Sequence, residues 1–416
     1  MAIEKPSVPP QFLIMKKVFT DRKDQIATSL RVAKSISDLV GLLNQMQVWE
    51  SEEHKAREFP VEPIKERALK YYLYAKKDRY TTFTIPKRTG GIREIKAPDR
   101  FLKLAQRYLN IALQCLYTPP EYVTGFVAGR SVIDNARFHT QKKYVYNIDL
   151  KDYFPSITFG RVYAVLTTLN HFGLNKEVAR VIANIASDNG VLPQGAPTSP
   201  TLSNFVCIRL DRRLKWLAVQ NKLSYSRYAD DITFSSNENF LSEEFRKELI
   251  AIIESEGFEV KFEKERLQRY NVREEGKLIR EQQRVTGLVV NEKVNVNRAY
   301  IKNLRAAINN WDQNGYESAS EQLAYYYSRE KGSLRSDSVP PLENYIAGKL
   351  EYLGMVRGKE DPVYRVMKLQ FDELCELQEF AEQDFIEILE LWETEGVKKA
   401  IDRFYNRKNI IIQGEE

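Results

Sequence analysis

Tyr228-Ala229-Asp230-Asp231 sets two adjacent carboxylates between stretches that alternate as strands do, Leu223-Ser-Tyr-Ser-Arg-Tyr228 before and Ile232-Thr-Phe-Ser-Ser236 after. Both flanks are rich in aromatic or β-branched residues, so the acidic pair falls at or near a hairpin tip. Adjacent like charges repel, and a cation or solvent is needed to relieve them. Two readings of these four residues stand: a turn in which Asp serves its usual conformational role, or part of a metal site. The remainder of the chain decides between them.

A chain of 416 residues is long enough for two to four structural units. Its 63 Lys and Arg exceed its 57 Asp and Glu, and the excess is unevenly placed. Residues 371 to 416 hold thirteen acidic and five basic residues, so residues 1 to 370 carry a net charge of +14. A basic body with an acidic tail suggests that the body, and not the tail, binds a polyanion. Cys115, Cys207 and Cys375 are odd in number and far apart, which suggests neither a disulfide framework nor a zinc site. Without a signal pattern or a long apolar run, the expected location is the cytoplasm, with no membrane association.

Taken in order, the chain begins with an irregular Pro-containing lead. A helical spacing follows over Ile26 to Gln47, and a basic, Tyr-rich helix over Ile64 to Ala75. Strands Thr81–Pro86 and Ile92–Ala97, joined by Lys87-Arg-Thr-Gly-Gly91, make a hairpin studded with Lys87, Arg88, Arg93 and Lys96. Arg forks and mobile Lys charges on such a hairpin suit a triphosphate, although a solvated basic turn has the same composition. After a helix over Leu102 to Leu116, Ser131 is the expected N-cap of a helix Val132 to Lys142 that sets Asn135 and His139 on one face.

Tyr144-Val-Tyr-Asn-Ile-Asp149 is an apolar strand ending on a carboxylate. Such an acid is costly to bury unless it is paired or bound to metal, so Asp149 is a candidate to join Asp230 and Asp231. Three carboxylates from two strands would cage hard divalent cations, and a pair of Mg²⁺ ions is the usual device for in-line phosphoryl transfer. The rigid loop Leu192 to Pro200 leads into a helix with Ser199 as its expected N-cap and Leu202, Phe205, Val206, Leu210, Leu214 and Leu217 on one face. A helix over Ser242 to Glu256, a strand Phe258 to Phe262, and a small hairpin from Arg284–Asn291 and Lys293–Asn297 are expected next. Ala299 to Trp311 is a basic amphipathic helix containing Lys302 and Arg305. Asp372 to Glu395 carries ten acidic residues, no basic one, and an apolar stripe of Leu374, Leu377, Ala381, Phe385, Ile388 and Trp392 that should dock on protein.

Together these stretches resemble bacterial reverse transcriptases over roughly residues 80 to 310. The resemblance rests on Ile85-Pro-Lys with Gly-Gly-Ile-Arg-Glu-Ile, Gly125-Phe with Gly-Arg-Ser131, Asn147-Ile-Asp-Leu-Lys-Asp-Tyr-Phe-Pro155, Pro193-Gln-Gly-Ala-Pro-Thr-Ser-Pro200, and Tyr228-Ala-Asp-Asp231. Asn135-Ala-Arg-Phe-His139 and Val285-Thr286-Gly287 are similar to the N-A-x-x-H and V-T-G signatures of the retron type.

The resemblance implies an α+β right-hand polymerase fold of fingers, palm and thumb, making DNA from dNTPs on an RNA template with two Mg²⁺ ions. Asp149 and Asp230 would hold the metals and Asp231 complete the cluster. Lys87 and Arg93 would contact the triphosphate, Gln194 and Gly195 line the sugar, and Phe154 gate against a ribose 2′-hydroxyl. Asn135, His139, Val285, Thr286, Gly287, Lys302 and Arg305 would serve RNA recognition. The implied division is an N-terminal helical extension at 1–78, fingers at 79–145, palm at 146–296 with an insertion at about 163–190, thumb at 297–368 and an acidic extension at 369–416. The implied partner is a structured noncoding RNA, template and primer at once, yielding a branched RNA-DNA product in anti-phage defence; a separate effector protein and an oligomer are further expectations. Alternatives are another defence-associated or intron-derived reverse transcriptase, or a polymerase-like RNA-binding scaffold that controls an effector.

Overall fold

The structure is a computed structural model describing residues 17–53, 62–74, 79–86, 91–169, 172–331 and 339–401. Two compact units divide at Lys293 and Val294.

The first unit opens with helices α1 (Lys17–Thr20), α2 (Lys23–Val32), α3 (Ile36–Glu53) and α4 (Glu66–Tyr74). The single helical spacing expected over Ile26 to Gln47 is therefore two helices. Asp38 explains the break: its carboxylate accepts from the backbone amides of Lys34 and Ser35 while the Ser35 hydroxyl accepts from the Asp38 amide, so a new helix starts there. Strands β1 (Tyr80–Pro86) and β2 (Ile92–Pro98) form an antiparallel hairpin. Helix α5 (Arg100–Leu116), capped by the Asp99 side chain, buries Leu102, Ala105, Leu109, Ala112, Leu113 and Leu116 at helical spacing. Each large apolar side chain so buried stabilises by roughly 1.5–3 kcal/mol.

Helix α6 (Val132–Arg137) follows, then β3 (Tyr144–Asp149), α7 (Phe159–Thr168), α8 (Lys176–Ala186), α9 (Ser199–Val206), α10 (Ile208–Gln220), β4 (Ser224–Tyr228), β5 (Asp231–Ser236) and α11 (Glu243–Ser255). The predicted helix from Ser199 to Leu217 breaks at Cys207, and its cap is Thr198, one residue before the expected Ser199. A 3-10 turn, Phe262–Lys264, leads to β6 (Arg266–Glu274) and β7 (Lys277–Arg280), and a two-residue pair β8 (Arg284–Val285) and β9 (Leu288–Val289) ends the unit.

Five strands make one antiparallel sheet in the order β4-β5-β3-β6-β7. Its β6–β7 hairpin turns at Glu275 and Gly276, both at positive φ, as a tight hairpin requires. The strand expected over Phe258 to Phe262 is a single bridge, Val260 to Leu150. The strand expected over Lys293 to Asn297 is not formed either; the small hairpin consists of β8 and β9.

The second unit is helical: α12 (Arg298–Lys331), broken at Gly315, α13 (Leu342–Arg357) and α14 (Pro362–Glu395). Leu304, Ile308 and Trp311 of α12 are buried, as are Ile346, Leu350 and Leu353 of α13 and Tyr364, Met367 and Phe371 of α14. Trp311 meets Phe371 edge-on at 6.0 Å, so the start of α14 belongs to this core. α14 runs unbroken across position 368/369, where the sequence reading places a boundary. Beyond Phe371 its stripe stays open, with Leu377 67% and Trp392 55% exposed; Ala381 and Phe385 lie outside the described side chains. Among the described residues no helix is long and apolar enough to cross a membrane.

Candidate active site

β3 and β5 are paired so that Asp149 stands directly opposite Asp231, and Asp230 is the turn residue immediately before β5. Directly opposed residues of antiparallel strands lie about 4.5–5.5 Å apart at Cα. The turn is sharp: Ala229 takes φ +58°, in the left-handed region. The Asp230 carbonyl accepts from the Leu150 amide at 2.9 Å, tying the turn to the end of β3. The three acids named from the sequence are therefore neighbours.

Their electrostatics show the strain of that meeting. Burial, then the charges of Asp149 and Asp230, push the Asp231 carboxyl up to about 7, with Asn147 and Lys264 acting against the rise. Burial followed by the Asp149 charge also raises Asp230, and here Lys264 and Arg93 oppose the rise. Lys264 was not picked out from the sequence. The 3-10 turn after α11 carries it back to the site, where its Nζ donates to Asp149 Oδ2 at 2.6 Å. Its signal was faint, since Phe262-Glu-Lys264 reads as an ordinary charged turn.

Three oxygen-donor side chains that repel one another fit a hard divalent cation in donor chemistry. Among the described residues no three such side chains already converge on one point, and the Lys264 ammonium supplies the nearest counter-charge.

The other residues named from the sequence divide into those near this end of the sheet and those elsewhere. Arg93 lies exposed on β2, close enough to act on Asp230; Lys87 lies outside the described residues. The Gln194 carbonyl accepts from the Lys96 amide at 2.8 Å, docking the 193–196 loop along β2. Gly195 is required there: at φ +125° a Cβ would stand 2.7 Å from the Lys96 carbonyl oxygen. Phe154, half-buried, packs against Phe126 at 5.9 Å and Tyr153 at 5.3 Å. Lys302 and Arg305 are exposed on α12, in the second unit.

Asn135 and His139 correct the sequence reading. α6 stops at Arg137, so the two do not share a helix face, and both are fully buried. His139 bridges the sheet, with Nδ1 at 2.8 Å from Ser235 Oγ on β5 and Nε2 at 2.8 Å from Ser226 Oγ on β4. Burial holds its imidazole neutral, down at about 3. Asn135 accepts from the Thr124 hydroxyl at 2.8 Å. Both side chains lie inside the protein, where they fasten α6 and the loop before it. Val285 is likewise buried, while Thr286 and Gly287 form the β8–β9 turn, both at positive φ. A β-branched residue is a genuine outlier there. The Thr286 hydroxyl donates to the Val132 carbonyl at 3.2 Å, joining the hairpin to the start of α6.

The sheet thus carries opposed acids at one end, with the β1–β2 hairpin docked on the 193–196 loop. The chain belongs to the reverse transcriptase family of RNA-dependent DNA polymerases, whose model matches residues 85–316. Within that family it is of the retron type. It is 36% identical over 311 residues to the retron Mx65 reverse transcriptase of Myxococcus xanthus, covering 70% of this chain and 68% of that one. It is 35% identical over 249 residues to the retron Ec86 reverse transcriptase of Escherichia coli, covering 59% and 74%. A solved telomerase from Candida albicans aligns with 86% of this chain and 71% of its own at 12% identity and a TM-score of 0.39. The protein is an RNA-directed DNA polymerase with the right-hand fold, and its family depends on a divalent metal.

Proposed function

We propose that the protein copies a structured noncoding RNA, serving as both template and primer, into a branched RNA-DNA molecule, with Asp149, Asp230 and Asp231 as its catalytic carboxylates. One observation carries the reading: Asp149 and Asp231 are opposed across paired strands with Asp230 on the adjoining turn, in a chain of this family. Asp149 and Asp230 would hold two Mg²⁺ ions and Asp231 complete the cluster. When bound, such a pair stabilises the attacking and leaving oxygens of an in-line displacement. Lys264 donates to Asp149 Oδ2 and so sets a positive charge beside the acidic cluster.

Arg93, with Lys87 from the same hairpin, grips the triphosphate of the incoming dNTP. Gln194 and Gly195 line its sugar, and Phe154 stands against a 2′-hydroxyl. Lys302 and Arg305 contact RNA phosphates, while Asn135, His139 and Val285-Thr286-Gly287 act indirectly, by shaping the α6 surface presented to that RNA. The apolar stripe of α14 suits a protein partner, a separate effector or a second copy, in cytoplasmic anti-phage defence.

The test is primer extension with Asp149→Asn and Asp230→Asn protein. Each loses one anionic ligand, so synthesis should fall to background while the melting temperature and RNA binding hold. Near wild-type rates in either would remove that residue from the site. Sequencing the nucleic acid that copurifies with the active protein checks the template: one structured RNA joined to its DNA copy supports the reading, and a random collection of cellular RNA overturns it.

A further inference from the structure

Arg227 is a fully buried charge, one residue before the acidic turn's Tyr228. Its five N–H donors meet five acceptors. Nε and Nη2 grip Asp211 Oδ1 and Oδ2, each at 2.7 Å; Nη2 also reaches Asn204 Oδ1 at 3.1 Å. Nη1 donates to the Tyr153 hydroxyl at 3.1 Å and to the Ala229 carbonyl at 2.9 Å. That carbonyl belongs to the left-handed residue just before Asp230.

The same cluster grips the turn from its other side. Asn204 donates from Nδ2 to the Gly125 carbonyl at 2.9 Å. Gly125 lies so close to the turn that a Cβ on it would stand 2.2 Å from the Ala229 nitrogen. Burying an ion pair is a poor route to stability, because a well-packed apolar pair of the same volume usually does as well or better. What the guanidinium adds is direction: a planar fork fixes its partners in a way a point charge does not. Here the fork joins α10, α9, the residue preceding Phe154, and the turn that presents Asp230.

We propose that Arg227, held by Asp211, is a positioning residue for nucleotidyl transfer, fixing through the Ala229 carbonyl the turn that sets Asp230 beside Asp149. This rests on the reading of Asp230 as a metal ligand. Arg227→Lys keeps the charge facing Asp211 but loses the fork, so it cannot hold Asp211, Asn204 and Ala229 together. Groups that orient metal ligands typically cost about 10–100-fold in metal affinity or activity when changed.

The experiment follows Mn²⁺ binding by its paramagnetic resonance signal, on the full chain with a chain-terminated primer-template and dNTP. Separately, kcat and the dNTP KM are measured by primer extension. Arg227→Lys should weaken Mn²⁺ binding about tenfold and lower kcat by about 10–100-fold, with KM for dNTP unchanged. Glu50→Gln is the control, since Glu50 is also a buried acid, paired with Arg107 on helices of the N-terminal region; it should lower the melting temperature and leave Mn²⁺ affinity alone. If Arg227→Lys does not fold, the neutral pair Asp211→Asn with Arg227→Gln replaces it, with the same losses expected. Wild-type Mn²⁺ affinity in the folded variant overturns the proposal, even if kcat falls, because Arg227 would then only be packing. Asp230→Asn is run alongside. If it still binds Mn²⁺ and extends primers, the site reading itself fails; if it does neither while Arg227→Lys matches wild type, only the positioning role fails.

Discussion

At the end of the central sheet, three carboxylates are gathered by paired strands and one turn, and burial together with mutual repulsion raises two of them, Asp231 to about 7. Along α14, ten acidic residues between Asp372 and Glu395 are strung over about 36 Å of helix at 1.5 Å per residue. The first group is small and costly, and the second is large and spread out. The difference teaches that acidic count says little about a site. Close approach of acids that are also buried, on elements whose backbone is held elsewhere, is what makes their repulsion count.

The largest effect breaks or upholds that contrast directly. Neutralising one acid at the sheet end, in Asp230→Asn, should remove DNA synthesis, whereas Glu373→Gln with Glu376→Gln on α14 should leave the rate unchanged in the same primer-extension assay. Equal losses in both would dissolve the distinction.

Next in size is the contrast between basic and acidic helices of the second unit. Lys302 and Arg305 are three apart on α12 and both exposed, whereas Leu304 and Ile308 of the same helix are buried. Reversing both to Glu should weaken RNA binding and reduce the slope of log affinity against log salt by roughly one per lost phosphate contact. Filter binding across a salt series reads both. An unchanged slope would take α12 out of the RNA surface.

Phe154→Val sharpens what the sheet end selects. Phe154 is half-buried and packs on Phe126 and Tyr153. Trimming it to Val should raise ribonucleotide incorporation relative to deoxyribonucleotide while leaving the protein folded. A constant ratio would make Phe154 packing alone.

Much of this site was legible because its residues lie at strand ends and turns, where a charge beside an apolar run is conspicuous. Asp149 closes the run Val145 to Ile148, and Asp230 interrupts two alternating strands. What escaped were contacts made between elements. Arg227 and Asp211 lie on β4 and α10, and neither alone looks unusual. A signal was present, since β4 alternation places Arg227 on the same face as buried Tyr225, and an inward charge demands a partner. β6 and β7 were missed because charges on the exposed positions of Arg266 to Glu274 mask its alternation. α6 was predicted too long because nothing in the sequence of residues 138–142 marks the turn, where Gln141 takes φ +59°.

A smaller effect separates His139 as a sheet fastener from His139 as an RNA contact. Its neutral ring is held between two serines, well below the ordinary value of 6.5. The unfolded chain takes up the proton that the folded one refuses. Its stabilising contribution is therefore complete above pH 6.5 and is lost as pH falls from there towards 3. The loss is about 1.4 kcal/mol per pH unit for one proton. Denaturant melts between pH 7 and 4.5 should show this slope in the wild type and less of it in His139→Gln. Identical slopes would mean that the ring is protonated in the folded protein.

The smallest effect is expected from ending the chain after Asp372, which keeps the buried Tyr364, Met367 and Phe371 and removes the rest of α14. Leu377, Ile386 and Trp392 are all more than half exposed in the single chain. Burial of a large apolar side chain is worth roughly 1.5–3 kcal/mol, so side chains left in water contribute little of it. A lone chain should then melt at nearly the same temperature with or without this segment. Primer extension should also persist, because the acidic face repels a phosphate backbone within the Debye length of about 8 Å at physiological salt. Light scattering and thermal melting over a range of protein concentrations distinguish the outcomes. A concentration-dependent drop in melting temperature on truncation, with a loss of mass, would show that the stripe is covered by a second copy. Loss of RNA affinity alone would place α14 in the RNA surface and erase the contrast between the two acidic groups. If the truncated chain matches the full one in both measurements, the stripe is free for a partner of another kind, and pulldown with full-length and truncated bait then identifies what depends on it.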